Sequence, residues 1–332
     1  MEKLVMIYPW LQEVWQQITA MRVQGRLPHA LMLVGPDDVG IESLTHALAN
    51  ALLCEQGKID PCGDCQSCHL FLAGTHPDYF LIRPSENETI KIDVLRELSQ
   101  SLTQKPARGC SQVVFIERAD CMQVAGANAI LKTLEEPEGN VFFILWARQA
   151  ERLPATIRSR TQNLNCANGS LESMQTWLKA NGQLDIKKPW LRITGNRPLA
   201  VKALSEENYF GARDSLLQAL QTVKEKRQST LVAAQSFSDW DRSLYFQALL
   251  SIAADGFRYC LAVGSEYWVN QDEEIAIRAL FSGLGIEQVQ SFYDCVERIW
   301  RYEQLPQVLN KFLLDAQVWL EWEKLTEVYH AY

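Results

Sequence analysis

LMLVGPDDVGIES, residues 31–43, decides how this chain is read. Four apolar residues run into Gly35, and Gly40 follows five positions on. That is the strand-then-loop frame of a phosphate-binding loop, G-x-x-x-x-G-K-[ST]. The two residues that grip a nucleotide in this frame are missing, because Ile41 stands at the lysine position and Glu42 at the Ser/Thr position. Carboxylates at Asp37, Asp38 and Glu42 would each repel a triphosphate by roughly 1–4 kcal/mol per pair at ~4 Å, depending on screening. Ser43 offers a hydroxyl one residue late, about 100° round a helix. The degenerate loop is therefore expected to bind no ATP.

Outward from the loop, apolar runs alternate with helical stretches. DYFLI (78–82), QVVFI (112–116) and VFFIL (141–145) read as strands, the last two buried on both faces. SLTHALANALL (43–53), IDVLRELSQSL (92–102) and ANAILKTLEE (127–136) read as helices, the last stopped by Pro137. Such alternation predicts a parallel α/β sheet covered on both sides. After about residue 166 the strands stop, and from about 208 the chain reads as helix after helix, with apolar residues at three- and four-residue steps. The tryptophans concentrated there read as core and interface packing.

With 332 residues, 47% hydrophobic and 22% charged, the chain is long enough for two or three domains of ordinary globular composition. A formal net charge of −8 argues against wrapping nucleic acid by charge alone. No apolar run is long enough to span a membrane, and the start, MEKLVMIYPWLQEVW, lacks a signal-peptide layout, so neither membrane insertion nor export is expected.

Without a secretion signal, the nine cysteines are expected to be reduced thiols. Cys110, Cys121, Cys166, Cys260 and Cys295 are scattered and read as small buried hydrophobes. Cys54, Cys62, Cys65 and Cys68 crowd into CEQGKIDPCGDCQSC (54–68) as C-x7-C-x2-C-x2-C. Two overlapping C-x2-C pairs bring thiolates together on one tight turn, and four thiolates suit a closed, structural zinc site. An iron–sulfur cluster also uses C-x2-C-x2-C, but here the fourth cysteine lies upstream and no C-P follows. His69 reads as a neighbour of the site.

A second acidic stretch, VVFIERAD (113–120), occupies the place of the h-h-h-h-D-E pattern that ends an ATPase strand. Glu117 stands at the magnesium-binding position, and Arg118 at that of the glutamate that activates water. An arginine cannot serve as that base. In chain order RLPHALMLVGP (26–36), IKIDVLREL (90–98), GANAILKTLEEP (126–137) and LPATIRSRT (153–161) resemble the AAA+ clamp-loader subunits of bacterial DNA polymerase III, and the four-cysteine insertion is similar to that family's zinc module. The resemblance is strong over roughly 1–166 and weaker over 167–332. The gamma/tau motors keep G-K-[ST], so the degenerate loop points to a different subunit of the ring.

The resemblance implies an N-terminal P-loop NTPase-like AAA+ α/β domain (1–166) with a zinc module at 54–68. It further implies a small helical lid domain (167–207) and an all-α collar domain (208–332). It implies a bacterial, cytoplasmic hetero-pentamer with gamma/tau and delta subunits that loads the sliding beta clamp onto primed DNA. It also implies a role for Ser159–Arg160–Thr161, which stands where the family has Ser-Arg-Cys: Arg160 would reach a neighbour's γ-phosphate in trans as an arginine finger. Trp146, Ala147 and Arg148 stand where an active relative carries a γ-phosphate-sensing Thr or Asn. Arg197 stands at the lid's sensor arginine, where packing is an equal reading. Two rival functions stay in view. One is an active ATPase with a divergent loop, rescued by Lys58 or another distant cation. The other is a zinc-containing nucleic-acid binding module.

Overall fold

The computed structural model describes residues 6–57, 59–85, 89–108, 111–137, 139–166, 169–182, 189–206, 209–303 and 310–327. The chain divides into two compact units, Met1–Asn181 and Gly182–Tyr332.

The first unit is built in the order α1 (Gln12–Val23), β1 (Ala30–Val34), α2 (Ile41–Leu53), α3 (Gln66–Leu72), β2 (Tyr79–Ile82), α4 (Ile92–Ser101), β3 (Gln112–Ile116), α5 (Val124–Glu135), β4 (Val141–Ala147), α6 (Ala155–Arg158), β5 (Gln162–Asn165) and α7 (Leu171–Gly182). The five strands form one parallel sheet in the order β2-β3-β4-β1-β5. Every residue of β3 is buried, as expected of a central strand with both faces covered. Leu95 and Leu98 of α4 and Ala127, Ile130 and Leu134 of α5 pack with Val114, Ile116, Phe143 and Leu145 on one face of the sheet. The strands and helices read from the sequence are all present, with two differences. β4 runs on through Trp146 and Ala147, and β5 was not foreseen. Only Leu164 of QNLN is buried, so this edge strand carries no apolar alternation.

In a parallel sheet whose chain doubles back, the carboxyl ends of the strands open onto one crevice. Here those ends deliver the loop after β1, Arg83 after β2, Glu117 after β3 and Arg148 after β4.

The described residues of the second unit are helical: α8 (Pro189–Ile193), α9 (Pro198–Glu206), α10 (Tyr209–Lys224), α11 (Thr230–Phe237), α12 (Arg242–Cys260), α13 (Glu274–Phe281), α14 (Ile286–Glu303) and α15 (Lys311–Glu327), with two short 3-10 turns. Trp268, Trp319 and Trp322 lie fully buried in its core. Buried charge is paired. Arg242 bonds Glu303 and Asp315 at 2.7–3.0 Å, and Arg213 meets Asp272 at 2.8 Å. No described helix is long and apolar enough to cross a membrane.

Candidate functional site

The loop keeps the backbone form of its motif. Gly40 adopts φ +86° at the start of α2, a conformation that favours glycine. A side chain there would also collide with Tyr8, since a Cβ on Gly40 would lie 2.2 Å from Tyr8 Cδ2. The Tyr8 ring stacks on Trp10 at 5.0 Å, and Trp177 of α7 meets both rings edge-on at 5.3 Å. Trp10 Nε1 donates to Val39 O at 2.8 Å, so this aromatic group is bonded to the loop itself. The Gly35 N–H donates to Ala147 O at 3.0 Å, and Trp146 Nε1 donates to Gly35 O at 3.0 Å. Ile41 is 2% exposed, with its Cδ1 packed toward Gly35. The residue at the lysine position therefore points into the core, where burial of an Ile side chain contributes about 1.5–3 kcal/mol.

The charges of the crevice pair with one another. Arg148 Nε donates to Asp37 Oδ1 at 2.8 Å, and its Nη2 meets Asp37 Oδ2 in a second parallel contact. Such a fork is the geometry with which arginine holds a carboxylate or a phosphate. Asp37 thus presents Arg148 with the anion that a phosphate would have been. Arg83 Nε donates to Glu117 Oε2 at 2.8 Å, and its Nη2 reaches Glu42 Oε1 at 3.4 Å. Two carboxylates at the magnesium-binding positions of the motif are thus bridged by a guanidinium. Burial lifts the Glu42 carboxyl above its ordinary range, and the neighbouring Glu117 adds to the lift while Arg83 opposes it. The hydrogen bond to Glu117 raises Arg83 in turn. Arg118, at the general-base position, takes a left-handed φ of 50° at the head of the 3-10 turn Ala119–Cys121.

Sequence reasoning named Asp37, Glu42, Glu117 and Arg148 but not Arg83 or the Tyr8, Trp10 and Trp177 cover. Carboxylates inside a phosphate loop demand cations, and the residue after each parallel strand is where to look. That signal points to Arg83. Lys58 lies outside the described residues. Arg197, in the second unit, donates from Nε to Thr194 O at 2.6 Å.

Cys54, Cys62, Cys65 and Cys68 come together with all four sulfurs within 4.8 Å of one another. Cys54 Sγ lies 4.0 Å from Cys65 Sγ, and Cys62 Sγ lies 3.9 Å from Cys68 Sγ. A zinc–sulfur bond of about 2.3 Å places tetrahedral sulfurs about 3.8 Å apart, so the set fits zinc. Backbone N–H groups of Cys62, Cys65 and Cys68 donate to the sulfurs of Cys54, Cys62 and Cys65 at 3.3–3.4 Å, which favours thiolates. Backbone donors from Asp64 and Cys65 lower Cys62 to about 7, while burial pushes Cys68 up. His69 is exposed beside the cluster. The module also caps the carboxyl end of α2. Ser67 Oγ donates to Leu53 O at 2.6 Å, and Arg22 joins Ala51 O at 2.6 Å to Ile59 O at 2.9 Å. Of the scattered cysteines, Cys166 and Cys295 are buried and Cys121 and Cys260 half-buried; Cys110 lies outside the described residues.

Arg158, the last residue of α6, and the turn residues Ser159 and Arg160 after it are exposed, above the fully buried Ile157. Arg160 Nη1 donates to Thr156 O at 2.9 Å and to Ser159 Oγ at 3.2 Å, and Nη2 pairs with Glu135 Oε1 at the end of α5. These partners belong to α5 and to the arginine's own turn rather than to the loop crevice.

A family model described as DNA polymerase III, delta subunit, matches residues 10–169. The chain is 31% identical over 323 residues to DNA polymerase III subunit delta' of Pseudomonas aeruginosa, covering 95% of each chain. It is 34% identical to DNA polymerase III subunit delta' of Escherichia coli K12, covering 74% of this chain and 75% of that one. It is also 36% identical over 137 residues to DNA polymerase III subunit tau of Escherichia coli K12, covering 41% of this chain and 21% of that one.

Proposed function

The chain belongs to the DNA polymerase III subunit delta' family, and from that premise we propose that it serves the clamp loader as a subunit that hydrolyses no ATP itself and lends Arg160 to a neighbour's nucleotide. The observation that carries this reading is the self-paired crevice. The arginine a phosphate would meet is forked to Asp37, and the carboxylates a magnesium ion would meet are bridged by Arg83. A triphosphate entering here would have to break both pairings and move Tyr8 from Gly40.

Arg160 has the opposite setting. It sits on an exposed turn in the Ser-Arg-Thr register that resembles the family's trans-acting motif. Docked against a gamma/tau neighbour, its guanidinium would neutralise charge developing on the phosphoryl group as it transfers. The 36% identity to a tau subunit supports a hetero-oligomeric assembly of related chains. In that assembly the chain joins three gamma/tau copies and one delta in a ring. Residues 167–207 act as a helical lid, and 208–332 as a collar that fixes the ring. ATP binding by the neighbours opens the sliding beta clamp for primed DNA, and hydrolysis releases it. Zinc held by Cys54, Cys62, Cys65 and Cys68 would act structurally, since four thiolates leave no position for water.

The test is Arg160→Ala in a complex reconstituted with gamma/tau and delta. Assembly by gel filtration should be unchanged, and DNA-stimulated ATPase should fall by at least about tenfold, since such arginines supply about 10³–10⁵ in rate at their strongest. An unchanged rate sinks the finger assignment.

A further inference from the structure

We propose that Glu135 is a positioning residue for Arg160, acting on the neighbour's ATP through the arginine it holds; this rests on the trans role proposed above. An arginine on an exposed turn loses its value to a remote reaction if its long side chain is free to wander, because the chemistry needs the guanidinium oriented before the phosphate arrives. Arg160 is not free. Of its five N–H donors, Nη1 engages Thr156 O at 2.9 Å and Ser159 Oγ at 3.2 Å, and Nη2 engages Glu135. Among the described residues three donors are therefore committed, which leaves two for an incoming phosphate oxygen.

The two holding groups differ in kind. Thr156 and Ser159 share a turn with Arg160 and move with it. Glu135 comes from another element, the last residue of α5, so among the described residues it is the partner that fixes the guanidinium relative to the rest of the unit. That end of α5 is itself pinned. Leu134 is fully buried, and its carbonyl accepts from His29 Nε2 at 2.8 Å, just ahead of β1. Glu136 N closes the helix on Lys132 O at 3.0 Å, and Pro137 ends it. The carboxylate thus stands on a fixed post. As an ion pair with both partners partly exposed, it adds little to stability. Its effect should fall on orientation.

The experiment compares Glu135→Gln, Glu135→Asp, Arg160→Ala and the double variant Glu135→Gln/Arg160→Ala in the reconstituted complex, measuring kcat and KM for ATP with clamp and primed DNA. Glu135→Gln should lower kcat by about tenfold with KM near the wild-type value. Glu135→Asp, which keeps the charge, should recover part of the loss. The double variant should turn over at the Arg160→Ala rate, since a positioning residue has nothing left to position. If Arg160→Ala is slow and Glu135→Gln is normal, or if Glu135→Gln slows the Arg160→Ala protein further, the positioning role is overturned and the trans role stands. If Arg160→Ala turns over normally, both fall together.

Discussion

Two groups of arginines in the same α/β unit meet opposite fates. Arg83 and Arg148, at the carboxyl ends of β2 and β4, spend their charge on Glu117, Glu42 and Asp37 inside the crevice where a nucleotide would lie. Arg160, on the turn after α6, pairs with one half-exposed carboxylate and is itself partly exposed. The residue type is the same, and what differs is whether the surrounding anions are supplied by the chain or left for a ligand. On the reading proposed here, a phosphate site can be closed by giving its cations internal partners as well as by losing its lysine.

The largest expected effect separates the two groups. In the reconstituted complex Arg160→Ala should cut ATPase at least about tenfold, while Arg148→Ala should leave it near the wild-type rate. Equal losses from both would erase the distinction drawn here.

Next in size is the metal. The cysteine module caps the carboxyl end of α2, the helix that begins at the loop, whereas Arg160 bonds to Thr156 of α6. Freshly purified, reduced protein should carry one zinc per chain by elemental analysis. Stripping it should lower Tm by on the order of 10 °C, the size expected for losing a few kcal/mol from a unit of this length. Protein that holds no zinc refutes the assignment.

The smallest effect lies in the crevice. The Glu42 carboxyl is lifted in the folded state by burial and by Glu117, from an ordinary value of 4.5. A raised folded pKa means that the ionised form is less favoured folded than unfolded. The resulting penalty is present at neutral pH and vanishes as pH falls below the ordinary value, where both states are protonated. Glu42→Gln should therefore raise the urea midpoint slightly at pH 7 and lose that advantage below about pH 4.5. A variant less stable at pH 7 would show that Glu42 is needed by Arg83 rather than tolerated beside it.

Much of this was legible in the sequence. The apolar runs at 31–34, 112–116 and 141–145 announced central strands because both their faces are buried, and the four-cysteine spacing announced a thiolate cluster. β5 escaped because an edge strand with one buried residue leaves no period to detect. The loop's missing lysine and misplaced carboxylates were plain at Ile41, Asp37 and Glu42. Their partners were not, because Arg83 and Arg148 lie 41 and 111 residues away along the chain and meet them only through strand order. Tyr8, Trp10 and Trp177 escaped for the same reason. Glu135 sat in view within LEEP, but only its contact with Arg160 gives it a role.

The central claim is that the chain binds no nucleotide and acts on a neighbour's. It is tested most directly by calorimetric titration of the isolated protein with magnesium and ATP up to millimolar concentration. The account predicts no binding heat. Saturable binding in the micromolar range would mean that ATP displaces Tyr8 and the Asp37–Arg148 pair, and would contradict it.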